Sequence, residues 1–120
     1  MEELFIMLIK GESMKKIIYN RKKIKDYKEF YERIVVDLNA NRFIDWEGEK
    51  DLDYNGNNLN EFLWYCHKDN IQFIFENFDL EKIENYKNYE NYQWNIIFTV
   101  IKRFVQQYPN NKLEFINEED

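Results

Sequence analysis

Cysteine, histidine and proline each occur once in this chain of 120 residues, and glycine occurs three times. The single cysteine, Cys66, cannot form an intramolecular disulfide, which fits a reducing compartment, and we expect a cytoplasmic protein. Cys66 and the single histidine, His67, are adjacent, but neighbouring residues of a helix point apart and make no catalytic pair. No glycine-rich phosphate-binding motif is present either. The sequence therefore predicts a protein that is not an enzyme and uses no cofactor.

Long hydrophobic runs are also absent. Residues 4–9 form an apolar run that is too short to span a bilayer and lacks the basic start of a signal peptide, so no targeting segment is expected. Met14 is a second possible start of the protein, which makes residues 1–13 an extension of doubtful status. Residues 14–120 have the length and hydrophobic content of one compact domain.

The formal net charge of −6 narrows the choice of partner. A net-negative surface repels nucleic acids and anionic membranes, so we expect neither as a direct partner and favour a basic protein. A basic stretch at residues 15–28 could touch RNA, but a solvated loop and helix start is the favoured interpretation. Residues 39–53, here called the acidic segment, hold five acids and two basic residues. They lack the register of a calcium-binding EF-hand, so no metal site is predicted, and they form either a solvated surface or an acidic rim around a binding face.

Strand and helix patterns alternate along the chain. Short β-branched and apolar runs predict three strands, at residues 16–19, 71–75 and 112–117, of which the second is covered on both sides. Helical periodicity predicts two helices between the first and second strands and two more before the third. Because strands separated by helical crossovers run mostly parallel, the sequence predicts an α/β fold with a three-stranded parallel sheet.

Caps and inner faces define three of the four predicted helices. The first follows the cap Asp26 and turns inward Tyr27, Phe30, Tyr31, Ile34 and Leu38. The third follows Asp79 and runs to residue 86, with an inner side of Leu80, Ile83 and Tyr86. Residues 87–93 are interpreted as a connection. The last helix stops at Pro109 and has an inner stripe of Ile97, Val100, Ile101, Phe104, Val105 and Tyr108.

The second predicted helix follows a polar turn that contains glycine, and it is the favoured functional element. Asn58 is predicted to cap it, with Glu61 reaching back in a capping box, so that the helix begins at Leu59. Its inner face is predicted to be Leu59, Phe62, Leu63 and Cys66. Its outer stripe, at spacings of four and three, is Asn60, Trp64 and His67.

An indole on the surface of this helix would call for a partner. Two alternatives remain open. Trp64 could lie beneath the acidic segment as part of the core, and His67 could be an ordinary surface residue near a helix C-terminus.

The order of elements and the pattern Tyr-x-Gly-x-Asn-Leu at Tyr54, Gly56, Asn58 and Leu59 resemble the barstar family of small intracellular ribonuclease inhibitors. The resemblance runs from about Met14 to Asn117. It implies a three-layer α/β arrangement in which about four helices cover the parallel sheet. It also implies that the second helix and the loop before it enter the active site of a partner ribonuclease.

The resemblance and the outer stripe together predict a partner-binding set of Tyr54, Gly56, Asn58, Leu59, Asn60, Glu61, Trp64 and His67. We expect a monomer that binds a basic ribonuclease or related nuclease toxin one to one, as an antitoxin or immunity protein. The family has aspartates at the positions of Asn60 and Trp64, so tight inhibition of the ribonuclease barnase itself is not expected. The alternative is a non-catalytic interaction module with a non-toxin partner.

Overall fold

The computed structural model describes residues 14–39 and 55–117. The elements in chain order are β1 (Lys15–Asn20), α1 (Tyr27–Asp37), α2 (Gly56–Tyr65), β2 (Ile71–Glu76), α3 (Leu80–Glu84), α4 (Tyr89–Gln107) and β3 (Lys112–Ile116). β2 lies between β1 and β3 and pairs with both in parallel. The predicted α/β fold, with a three-stranded parallel sheet and about four helices, is confirmed.

One face of the sheet carries the core. Ile17 and Phe73 are neighbours across β1 and β2, and Tyr19 and Phe75 are neighbours two residues further on. These four side chains are at most 5% exposed and join inner residues of all four described helices in a single hydrophobic cluster. The hydrophobic effect therefore fixes the register of the sheet, because a slip of one residue would turn these rings to the opposite face.

The opposite face of the sheet is mixed. Ile74 of β2 is buried, as the prediction of a strand covered on both sides requires, but its neighbour Ile18 on β1 is 55% exposed. Glu114 flanks Ile74 on the other side and is also exposed. Ile74 is not part of the core cluster to which the four helices contribute.

Helix α1 forms as the sequence predicts. The carboxylate of Asp26 caps it by accepting a hydrogen bond from the N–H of Glu29 at 3.0 Å. All five predicted inner residues are buried, including Leu38 just past the last turn. The end of α1 is joined to β1, because the hydroxyl of Tyr19 donates to Asp37 Oδ2 at 3.0 Å. Burial, with the nearby Asp37 carboxylate, raises the pKa of Tyr19, so this hydroxyl keeps its proton.

The prediction for α3 is wrong at its end and on its inner face. The helix stops at Glu84, and only Ile83 is buried, while Leu80 is 39% and Tyr86 46% exposed. Asp79 caps it as predicted. A helix of five residues has little more than one turn, so it presents a single residue to the core.

Helix α4 begins earlier than predicted, at Tyr89, and the interpretation of residues 87–93 as a connection is wrong. The side chain of Asn88 caps the helix by accepting from the N–H of Asn91 at 2.8 Å. This added turn contains Glu90 and leads to the fully buried Trp94. The predicted inner stripe of the rest of the helix is confirmed, with every member buried or partly buried against the core.

Glu90 connects α4 to the start of α1. Its Oε2 accepts hydrogen bonds from the indole N–H of Trp94 at 2.6 Å and from the backbone N–H of Tyr27 at 2.7 Å. The guanidinium of Arg21 lies 3.9 Å from the same oxygen. Charge-assisted hydrogen bonds of this kind are stronger than neutral ones, so Glu90 stabilises the contact between the two helices.

Asn111 joins three elements just after α4. Its side chain is 2% exposed, and Oδ1 accepts from the N–H of Ile71 at 2.8 Å. Nδ2 donates to the carbonyl oxygens of His67 at 3.0 Å and of Tyr108 at 3.2 Å. One buried amide thereby holds together the start of β2, the turn after α2 and the end of α4.

We predict that Asn111→Ala lowers the free energy of unfolding by about 2–4 kcal/mol, because it leaves buried backbone groups without their partners. Urea denaturation followed by circular dichroism measures the change. The matched control is Asn110→Ala, since Asn110 is exposed and also donates to the His67 carbonyl. Water can replace that bond, so the control should lose less than about 1 kcal/mol. Equal losses in the two variants would contradict a special role for Asn111.

Candidate functional site

The favoured functional helix, α2, begins three residues earlier than predicted. Asn55, not Asn58, is the N-cap, and its Oδ1 accepts from the N–H of Asn58 at 2.9 Å. Asn58 therefore lies in the first turn, and the predicted capping box with Glu61 is wrong. Glu61 Oε1 instead lies 3.4 Å from the hydroxyl of Tyr65, one turn along the helix. Because Asn55, Asn57 and Asn58 are all good capping residues, the sequence did not distinguish among them.

Gly56 is the first residue of α2 and lies against α4. A Cβ atom at this position would come within 2.8 Å of Ile96 Cγ2 and 3.4 Å of Val100 Cγ2. The glycine thus allows the backbone of α2 to approach the side of α4 directly. The structure gives this member of the predicted binding set a packing role.

The inner face of α2 is as predicted. Leu59, Phe62, Leu63 and Cys66 are all at most 3% exposed. The thiol of Cys66 lies 3.5 Å from the carbonyl oxygen of Leu38, just after α1. Leu59 was also placed in the partner-binding set, but its side chain is fully buried, and a partner cannot reach it in this structure.

The outer face of α2 brings the predicted stripe to the surface. Asn60 and Glu61 are exposed, Trp64 is 53% exposed, and His67 is partly exposed in the turn after the helix. Tyr54 and nearly all of the acidic segment lie outside the described residues. The alternative in which Trp64 is part of the core is wrong, because Trp64 is 53% exposed and lies outside the core cluster.

Ring contacts run from the exposed indole into the core. The rings of Trp64 and His67 stack with centroids 5.9 Å apart and planes at 27°, and His67 lies 4.7 Å from the ring of Tyr108. Tyr108 in turn contacts Phe104, which is buried. We call Trp64, His67 and Tyr108 the aromatic row. Each ring in it is supported by the next, so the surface indole stands on a packed base.

The imidazole of His67 is also held by the backbone. Its Nδ1 lies 2.6 Å from the carbonyl oxygen of Trp64. A carbonyl oxygen can only accept, so Nδ1 carries the proton in this contact. The carbonyl of His67 accepts from Asn110 at 2.9 Å and Asn111 at 3.0 Å. The aromatic row is thereby fixed at the junction of α2, β2 and α4.

Charge is sparse on this face. Glu61 is the only charged residue in α2. There are 14 lysines and arginines and 12 acids in residues 14–39 and 55–117 together. The net negative charge of the chain therefore comes from the remaining segments of its sequence. Any electrostatic attraction of a basic partner must therefore depend mainly on those segments.

Four residues of this region were not predicted as part of the site. Tyr65 contacts Trp64 with ring centroids 5.4 Å apart, and Tyr108 supports His67. Asn110 and Asn111 hold the turn after α2. The sequence predicted Tyr108 as an inner residue of the last helix. It indicated Asn110 and Asn111 only as part of the signal that ends this helix. Nothing in local sequence shows that they face a turn more than 40 residues away.

Comparison of the chain with protein-family models, curated proteins and solved structures finds no match. The resemblance to the barstar family therefore stays a prediction. In residues 14–39 and 55–117 no cluster of three or more His, Cys, Asp or Glu residues is placed to hold a metal ion. None of the helices in those ranges has the length and apolar character needed to cross a membrane.

We predict that Gly56→Ala destabilises the protein by about 1–2 kcal/mol, although alanine favours helix formation. The added methyl group meets Cγ2 of Ile96, which sits on a stiff β-branched side chain. In an Ile96→Ala background the same substitution should be neutral or stabilising, because that methyl group is gone. A double-mutant cycle by urea denaturation measures the coupling. Additive effects would show that α2 and α4 are not in close contact at Gly56.

Proposed function

We propose that this protein inhibits a basic ribonuclease or related nuclease toxin, as a cytoplasmic antitoxin or immunity protein. The outer face of α2 and the segment before it would cover the active site of the toxin. The observation that carries the proposal is the exposed indole of Trp64, which is supported by the rings of His67 and Tyr108. The opposite face of the same helix is buried in the core. Large aromatic side chains held at the centre of a surface are the residues that most often dominate binding energy.

The support beneath Trp64 favours binding. A side chain that is already packed loses little conformational entropy when a partner arrives. The ring contacts with His67 and Tyr65, and the hydrogen bonds at the His67 carbonyl, provide such preorganisation. An interface centred here would bury on the order of 800 Å² on each partner.

Other residues of the face would set the orientation of the partner. Asn60 and Glu61 are exposed on α2, and Asn58 and His67 are partly exposed at its two ends. The acidic segment, with five acids against two basic residues, would attract a basic enzyme and speed its association. Blocking is then steric and electrostatic, with a monomer bound one to one, and it needs no covalent chemistry.

The chain departs from the barstar pattern at Asn60 and Trp64, where the family has aspartates. An amide and an indole cannot replace two carboxylates opposite cationic catalytic groups, and losing such charge pairs costs several kcal/mol. The partner is therefore expected to be a nuclease with a different surface from barnase.

A second candidate function is a non-catalytic interaction module with a non-toxin partner. The low charge of α2, where Glu61 is the only ionised side chain, favours this candidate. The genomic neighbourhood separates the two candidates, because an immunity protein is expected beside the gene of its nuclease.

We predict that the protein co-purifies with a basic nuclease encoded next to its own gene and abolishes RNA cleavage at a one-to-one ratio. Cleavage of a fluorescent RNA substrate, titrated with the inhibitor, measures this. The control is an unrelated ribonuclease, whose activity should be unchanged. Full cleavage at a stoichiometric excess of this protein would contradict inhibition.

We further predict that Trp64→Ala weakens binding to that nuclease by about 2 kcal/mol or more, because it removes the anchoring indole. The free energy of unfolding should change little, since Trp64 is 53% exposed. Isothermal titration calorimetry and urea denaturation provide the two measurements. Tyr86→Ala is the matched control, because Tyr86 is 46% exposed and lies after α3, outside the proposed face. A Trp64→Ala variant that binds normally but unfolds easily would assign this indole to the core.

A further inference from the structure

The Trp64 indole contacts two neighbouring rings and also stands at the surface. One face is stacked on His67, and the ring of Tyr65 stands at 65° to the indole, with centroids 5.4 Å apart. Trp64 is nevertheless 53% exposed. The face of an indole carries the negative part of its quadrupole, and tryptophan is the best aromatic partner for a cation.

One carboxylate belongs to the side of α2 that carries this indole. Glu61 is three residues before Trp64, so the two side chains leave α2 on the same side. Tyr65 links them, because its hydroxyl is 3.4 Å from Glu61 Oε1 and its ring contacts Trp64. No lysine or arginine occurs in α2 to neutralise the carboxylate from within the helix.

We propose that Trp64 and Glu61 form a subsite for an arginine side chain of the partner protein. The planar guanidinium would stack on the exposed part of the indole and donate hydrogen bonds to the Glu61 carboxylate. This inference deepens the proposed function, on which it rests, by naming the group of the partner that α2 recognises. It also explains how a helix with one acid can bind a basic enzyme.

Arginine fits this subsite better than lysine. Its guanidinium is flat and weakly hydrated, so it stacks on an aromatic ring while its edge donates to a carboxylate. The ammonium group of lysine is compact and strongly hydrated, so its removal from water costs more free energy. A nucleobase could also stack on Trp64, but the phosphates of its strand would be repelled by the Glu61 carboxylate, which disfavours nucleic acid.

The first test uses His67 as a reporter. It is the only histidine, so its two imidazole C–H protons give single NMR resonances, and the ring stacks on Trp64. Titration with N-acetyl-arginine methylamide should shift the His67 and Trp64 indole resonances. The lysine derivative should shift them less, and the norleucine derivative hardly at all. Glu61→Gln should reduce the arginine response.

Three outcomes of this titration would overturn the subsite. Equal shifts with the norleucine derivative would mean that the indole binds any apolar chain. No shift with arginine at its solubility limit would mean that no cation binds. A single-stranded RNA oligomer that shifts the same resonances at lower concentration than arginine would assign the face to nucleic acid.

The second test uses the nuclease encoded next to the gene of this protein. It distinguishes failure of the arginine subsite from failure of the proposed inhibition. Trp64→Leu retains apolar area without a ring, and we expect it to weaken binding about 10-fold or more, whereas Trp64→Phe should cost less. Inhibition by the wild-type protein with undiminished binding of Trp64→Leu would overturn the arginine subsite and leave the proposed function standing. A selective arginine response without inhibition of the nuclease would overturn the proposed function and support the subsite.

Discussion

The close contact between α2 and α4 is the constraint on which the rest of the structure depends. At one end, Gly56 lets the backbone of α2 approach Ile96 without an intervening side chain. At the other end, Asn111 holds the turn after α2 and the first residue of β2 through buried hydrogen bonds. With both ends fixed, the inner face of α2 is committed to the core, and the face that carries Trp64 is necessarily outside. The position of the candidate site thus follows from packing alone.

Much of this fold could be predicted from the sequence because local patterns determine it. Apolar spacing identified the inner faces of α1, α2 and α4, and helices between strands required a parallel sheet. The errors arose where several residues satisfy the same rule. Three asparagines competed to cap α2, and the tyrosines and asparagines before Trp94 have the composition of a linker although they form the first turn of α4. Tertiary contacts decided that case, namely the hydrogen bond from the Tyr27 N–H to Glu90 and the packing of Trp94 against Phe30.

The candidate site was predictable only in part. The stripe of Asn60, Trp64 and His67 follows from helical spacing, and the structure places it outside. The support beneath it was not predictable, because Tyr108 and Asn111 are distant in sequence and reach His67 only in the folded chain. Gly56 and Leu59 have packing roles here although the family pattern suggested binding roles. A short motif can therefore mix residues that shape a helix with residues that face a partner.

The carboxylate of Glu90 has a consequence for how the chain folds. It accepts the backbone N–H of Tyr27, a residue 63 positions earlier, so the first turn of α1 is completed only when α4 is in place. Contacts between such distant positions close large loops. The entropic cost of closing a loop opposes folding before the contacts have formed to offset it. The N-terminal strand and helix therefore depend on the C-terminal helix for their final stability. A ribosome would have to synthesise and release α4 before this core could close.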